Sequence, residues 1–218
     1  MISFLVVLAI LLAARATAAP SETVPEAVRI GTPEAVARVR EGAAIRAVWI
    51  EGKFGEYGDR VHVIRFDPEG NPVSVEGKFI RLGDDRFRFE RAPGAWRVLG
   101  KFGDGGGTTF QVILGPKRRI REVRGRFYHY GDEVFRFVRD DDGRLVRVEG
   151  KFGRDGSPSL SFGYDGQGRI ATVVGKLLTF GDERFTVRYY PGTRLPLELR
   201  GKFARWGDDR FGFYYETW

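Results

Sequence analysis

Seven basic residues stand at one repeated position of this 218-residue chain. Lys53, Lys78, Lys101, Arg126, Lys151, Lys176 and Lys202 each follow a glycine and precede Phe or, once, Leu. A cation repeated at even spacing can hold an anion at several points at once, so these residues point to multivalent binding of an anionic polymer or lipid head group. The competing role is pairing with carboxylates on the same strand face, of which Glu51, Glu76 and Glu149 lie two residues earlier. Gly-Lys also raises a phosphate-loop reading. The sequence excludes it, because the following residue is never the Ser or Thr that reaches magnesium and no helical pattern follows. The densest basic run is Lys117, Arg118, Arg119, Arg121, Arg124 and Arg126, with Glu122 alone opposing. It reads either as a solvated strand and turn or as the centre of an anion-binding patch. Large side chains precede five Gly-Asp pairs, at Tyr57, Leu82, Tyr130, Phe180 and Trp206. Gathered at one rim beside basic residues, they would suit carbohydrate or an interfacial membrane contact; the alternative is packing at hairpin ends.

Other chemistries find little to build on. The chain has no Cys, hence no disulfide framework, thiolate metal site or cysteine nucleophile. Its two histidines, His62 and His129, are far apart in sequence, which argues against a multi-His metal site. The acidic pairs Asp84-Asp85, Asp132-Glu133 and Asp208-Asp209 have the residue types of a glycosidase, but they recur at one turn, and turn formation accounts for them. Asp140-Asp141-Asp142-Gly143 lacks the alternate-position ligands of an EF-hand loop. No G-x-S-x-G and no Ser/His/Asp set is present. No catalytic residue, metal or cofactor is expected.

The elements that position the cations are repeated strands. Successive Gly-Lys/Arg-Phe glycines, from Gly52 to Gly201, are 25, 23, 25, 25, 25 and 26 residues apart. A period of this size marks a repeat architecture. Before each glycine, apolar residues alternate with polar ones: Val73, Val75, Gly77, Phe79 against Ser74, Glu76, Lys78; Val146, Val148, Gly150, Phe152 against Arg147, Glu149, Lys151. That is a strand with one buried and one wet face, and the glycine on the buried face leaves room for a large neighbour. A Gly-Asp turn and a second alternating strand follow, as in Arg86-Phe87-Arg88-Phe89. Asp67-Pro68-Glu69-Gly70, Asp140-Asp141-Asp142-Gly143 and Asp165-Gly166-Gln167-Gly168 read as type I turns between repeats. Around Gly103–Gly107 and Gly153–Gly156 the turn residues arrive early, which predicts shorter or differently shaped hairpins there.

The fold class is therefore all-β: an antiparallel meander of about seven hairpin repeats, about 14 strands over residues 45–218. The apolar face lacks a helix large enough to cover it, so the sheet is expected to close into a shallow barrel, pairing the first strand (about 45–54) with the last (about 209–217). A transmembrane barrel needs an apolar outer band, and here the non-core face carries Glu, Lys and Arg.

Residues 1–18 have the pattern of a signal peptide, with an apolar run from Ile2 to Ala14 and an A-x-A site at Ala16-Thr17-Ala18. Export to the periplasm or the extracellular space is expected, and without Cys the protein is not a lipoprotein. Residues 19–44 form an N-terminal extension with one short helix, Thr32 as its N-cap and Pro33 at its first position, able to plug an open barrel end.

The turns containing Tyr164-Asp165-Gly166-Gln167-Gly168-Arg169-Ile170, Arg139-Asp140-Asp141-Asp142-Gly143-Arg144-Leu145 and Phe66-Asp67-Pro68-Glu69-Gly70-Asn71 resemble YD (Rhs-type) repeats, which implies hairpin geometry. In repeat count and strands per repeat, the chain also resembles the β-flower proteins. That resemblance implies a shallow barrel of radial hairpins with an apolar interior, and, through its likeness to tubby-like domains, lipid contact. The expected function is a non-catalytic binding or structural module contacting an anionic membrane surface or polysaccharide. The alternatives are a carrier of an apolar ligand inside the barrel and, third, a hydrolase. Nucleic acid is not an expected partner of an exported protein.

Overall fold

Alternating side chains build the wall, with departures near the short turns: Val73, expected inward, is exposed, and Ser74 and Glu198, expected on the wet face, are buried. The computed structural model describes residues 37–39 and 43–218. Among them are fourteen strands: β1 (Ile45–Glu51), β2 (Val61–Phe66), β3 (Pro72–Glu76), β4 (Arg86–Ala92), β5 (Ala95–Leu99), β6 (Thr109–Leu114), β7 (Ile120–Arg124), β8 (Val134–Arg139), β9 (Leu145–Glu149), β10 (Ser159–Tyr164), β11 (Ile170–Val174), β12 (Arg184–Tyr189), β13 (Pro196–Arg200) and β14 (Arg210–Thr217). Each pairs antiparallel with its sequence neighbours, and β14 returns to β1, closing the barrel. Each even-numbered strand pairs one inward residue back and another, two places on, forward. Phe87 faces Val75 and Phe89 faces Val98; Phe135 faces Val123 and Phe137 faces Val148. This repeated two-residue advance tilts the strands, and tilt with stagger is what lets a sheet close.

Nine residues link every odd strand to the next even one, at residues 52–60, 77–85, 100–108, 125–133, 150–158, 175–183 and 201–209. The third and fifth hairpins are thus not shorter, but the fifth is differently shaped: Asp155 is not left-handed, whereas the equivalent residue of the other six loops is. Their loops keep the common length, and Gly107 and Ser157 stand where the other loops carry Asp. The 23-residue spacing arises instead at the other end, where the two-residue link Pro93-Gly94 joins β4 to β5. The first strand also ends earlier than the alternation suggests, at Glu51, because Gly52 turns to φ +141°. Phe54 nevertheless points inward and is buried.

The interior of the long-loop half is aromatic. Phe54, Phe79, Phe102, Phe127, Phe152, Leu177 and Phe203 form one buried layer. Five of them stack on the aromatic ring that starts the preceding even strand: Phe54 on Phe211, Phe79 on His62, Phe127 on Phe110, Phe152 on Phe135 and Phe203 on Phe185, at 4.2–4.8 Å between centroids. The repeated glycine makes this possible. A Cβ on Gly100 would lie 2.5 Å from the Phe87 ring. The next position alternates small and large: Gly55, Ile80, Gly103, Tyr128, Gly153, Leu178, Ala204. Ile80 fills the space over Gly55 and Gly103, and Leu178 that over Gly153, so the long-loop end is packed shut.

The expected signal peptide lies outside the described residues. Of the N-terminal helix only Ala37–Val39 is described; it is helical, and Val39 packs against the core. Thr32 and Pro33 lie outside the described residues.

Candidate functional site

At the long-loop end, each loop is held by the next. The Asp59 N–H donates to the Lys78 carbonyl at 2.7 Å, and the Lys78 N–H donates to the Asp59 carboxylate at 2.7 Å. Asp84 clasps Lys101, Asp132 clasps Lys151, Asp182 clasps Lys202, and Asp208 clasps Lys53 across the β14–β1 closure in the same way. Ser157 does so for Lys176 through its hydroxyl, and Gly107 keeps only the main-chain bond to Arg126. The acidic residues of the Gly-Asp turns thus serve as clasps of backbone N–H groups, each charge-assisted bond contributing about 1–3 kcal/mol.

The clasp fixes the main chain of the repeated basic residue and leaves its ammonium group outside. Glu76 pairs with Arg65, Glu149 with Arg147, and Glu51 accepts from Tyr214. The carboxylates two residues earlier are therefore engaged elsewhere. Among the described residues no ion pair involves Lys53, Lys78, Lys101, Lys151, Lys176 or Lys202, whereas Arg126 pairs with Glu133.

Two residues before the clasp, every loop but the fifth, which has Asp155 there, turns through a left-handed residue. Tyr57, Leu82, Tyr130, Phe180 and Trp206 have φ between +57° and +63°. Glycine or Asn normally fills such a position, and a bulky residue there costs about 1 kcal/mol or more. All five side chains are also exposed, at 56–62%. Strain and exposure together are paid at five equivalent points of one barrel end. Arginines of the following loop lie over three of these rings: Arg81 over Tyr57 at 5.7 Å, Arg154 over Tyr130 at 4.4 Å and Arg205 over Phe180 at 5.0 Å. Arg205 also lies over Trp206, at 4.9 Å. These arginines had no separate signal in the sequence; their role emerges only when successive loops are laid side by side.

The basic run divides between the two ends. Arg126 belongs to the clasp ring, Arg124 pairs with Glu122 on the outer wall, and Lys117, Arg118 and Arg119 sit in the β6–β7 turn at the far end. There they line a cleft of about 590 Å³ together with Arg139, Arg144 and Arg194. A second cleft, about 930 Å³, lies by the closure and mixes signs, with Arg60, Arg188 and Arg210 against Glu51, Glu198 and Asp208. Glu198 is buried among Arg188, Arg200 and Arg210. Burial would raise its proton affinity, but the three guanidinium groups hold its carboxyl below the usual range.

No protein-family model matches the chain, and no curated protein shows significant similarity to it.

Proposed function

We propose that the protein is an exported, non-catalytic module that docks its long-loop rim on anionic lipid surfaces, and that its barrel is β-flower-like with YD-type turns between hairpins. One observation carries the reading: five large side chains, Tyr57, Leu82, Tyr130, Phe180 and Trp206, are held exposed in a left-handed conformation at equivalent points of one end. Packing does not explain them, since the layer beneath is already filled. A bilayer interface does, because amphipathic rings and apolar side chains partition there while Arg81, Arg154 and Arg205 beside them meet head-group phosphates. The lysine ring behind the rim adds attraction, worth about 1 kcal/mol per cation close to an anionic membrane. Leu82 and Phe180 favour lipid over polysaccharide, because neither offers the polar edge that sugar binding uses. Co-sedimentation with anionic and neutral vesicles tests the reading. Binding to anionic vesicles alone, weakened by salt, supports it; binding to neither kind refutes it, and binding only to a soluble acidic polysaccharide assigns the rim to that ligand instead.

A further inference from the structure

We infer that the opposite end of the barrel holds a separate site, a cleft that takes one anionic amphiphile: a carboxylate head on an aliphatic tail. The inference does not rest on the lipid-docking rim.

The repeats supply their own reference. In three short turns, the first residue is Asp67, Asp140 or Asp165, whose carboxylate accepts the N–H of the fifth residue. The fourth is Gly70, Gly143 or Gly168, with φ +75°, +78° and +70°. The β6–β7 turn breaks both rules. Gly115 replaces the Asp, removing a carboxylate, and Arg118 replaces the left-handed Gly at φ +56°, next to Lys117 at the same angle. A third departure lies beside it, at a position where β2 and β6 carry the uncharged Phe66 and Leu114. At the ends of β10, β12 and near the end of β14, Tyr164, Tyr189 and Tyr215 donate their hydroxyls to Leu145, Ile170 and Pro196 carbonyls at 2.8–2.9 Å. The matching position of β8 is Arg139, whose guanidinium donates to the Ile120 carbonyl at 3.4 Å.

These departures converge. Arg119 and Arg139 both donate to the Gly143 carbonyl, at 2.6 and 3.3 Å, and among the described residues neither is in an ion pair. Arg169, at the position of Arg119 in its own turn, is instead neutralised by Asp165 at 2.8 Å. Burial, and to a lesser degree the nearby Arg119 charge, pull the Arg139 proton affinity down. Among the cleft's described lining residues, Glu69 is the sole carboxylate. The floor is apolar, with Trp96, Val112, Leu114, Phe137 and Leu145. Its 590 Å³ falls within the range of about 300–1,000 Å³ for small-molecule sites. Cations facing an apolar floor fit a ligand that is charged at one end and aliphatic at the other.

The test is isothermal titration of the purified protein with decanoate, with acetate and uncharged decyl maltoside as comparison ligands. The expected result is saturable one-to-one binding of decanoate, with both comparisons at least tenfold weaker. Arg139→Tyr supplies the residue that β10 and β12 carry at this position, so it should fold, keep its melting temperature and bind decanoate at least tenfold more weakly. Arg118→Gly restores the other turns' glycine and serves if the first variant fails to fold; it too should weaken decanoate. Absent decanoate binding, equal binding of either comparison ligand, or undiminished affinity in folded variants overturns the inference. Vesicle binding should stay unchanged in Arg139→Tyr, which separates failure of this site from failure of the rim.

Discussion

Lowering pH from neutral toward 4 should loosen the barrel at His62. Every other even strand opens with Phe or Leu at this inward position, and β2 opens with His62, fully buried between Phe54 and Phe79. Its Nε2 lies 3.0 Å from the Lys78 carbonyl, which can only accept, so Nε2 carries the proton. Nδ1 is buried without a partner. A second proton would have to sit at Nδ1, and burial lowers the pKa from 6.5 to about 4. The unfolded chain takes up that proton near pH 6.5, while the folded one refuses it until about pH 4. Stability is therefore full above pH 6.5 and declines as pH falls toward 4, by a total of about 3 kcal/mol from this group. Urea unfolding measured from pH 7.5 to 4 reads this directly. His62→Phe supplies the ring used by the other repeats, and the Lys78 carbonyl keeps its bond from the Asp59 N–H. The variant should match the wild type at pH 7.5 or exceed it, and gain about 2–3 kcal/mol over it near pH 4. Equal pH dependence in both proteins would refute the reasoning.

Further outcomes follow from the same geometry. Asp208→Ala removes the side-chain half of the clasp to Lys53 at the closure and should cost about 1–3 kcal/mol, with hydrogen exchange rising first at the Lys53 amide. Gly100→Ala places a methyl 2.5 Å from the Phe87 ring at φ +141° and should cost about 3 kcal/mol or more in urea unfolding. Glu198→Gln leaves Arg188, Arg200 and Arg210 facing one another without their shared carboxylate and should lower stability by about 2–4 kcal/mol, the loss shrinking at high salt.

Much of the barrel is written in the alternation of residues. The inward phase of Val75 and Phe79 and the glycine between them reported the strand, its buried face and the close approach of a ring, whereas Val73 was misread, because the bulge between Arg65 and Phe66 shifts the register there and leaves it exposed. The closure of β14 on β1 followed from an apolar face with nothing else to cover it. The lengths of the loops at Gly103–Gly107 and Gly153–Gly156 were misread because their clasp residues, Gly107 and Ser157, had lost the Asp that marks the turn elsewhere, though the different shape expected of the fifth is there at Asp155. The rim was legible as five large residues before Gly-Asp, but their left-handed backbone was not, since it contradicts what such residues favour alone. Arg81 over Tyr57 and Arg154 over Tyr130 join residues 24 positions apart, so only the pairing of successive hairpins brings them together. Arg139 reads as an ordinary strand-end charge until it is set against Tyr164 and Tyr189.

The lipid-docking rim is tested most directly by comparing wild type with a Tyr57→Ser, Phe180→Ser, Trp206→Ser variant in co-sedimentation with anionic vesicles at low salt. These side chains are exposed, so the variant should keep its melting temperature or raise it, while its bound fraction falls at least tenfold. A folded variant that sediments with anionic vesicles as fully as the wild type would contradict the account.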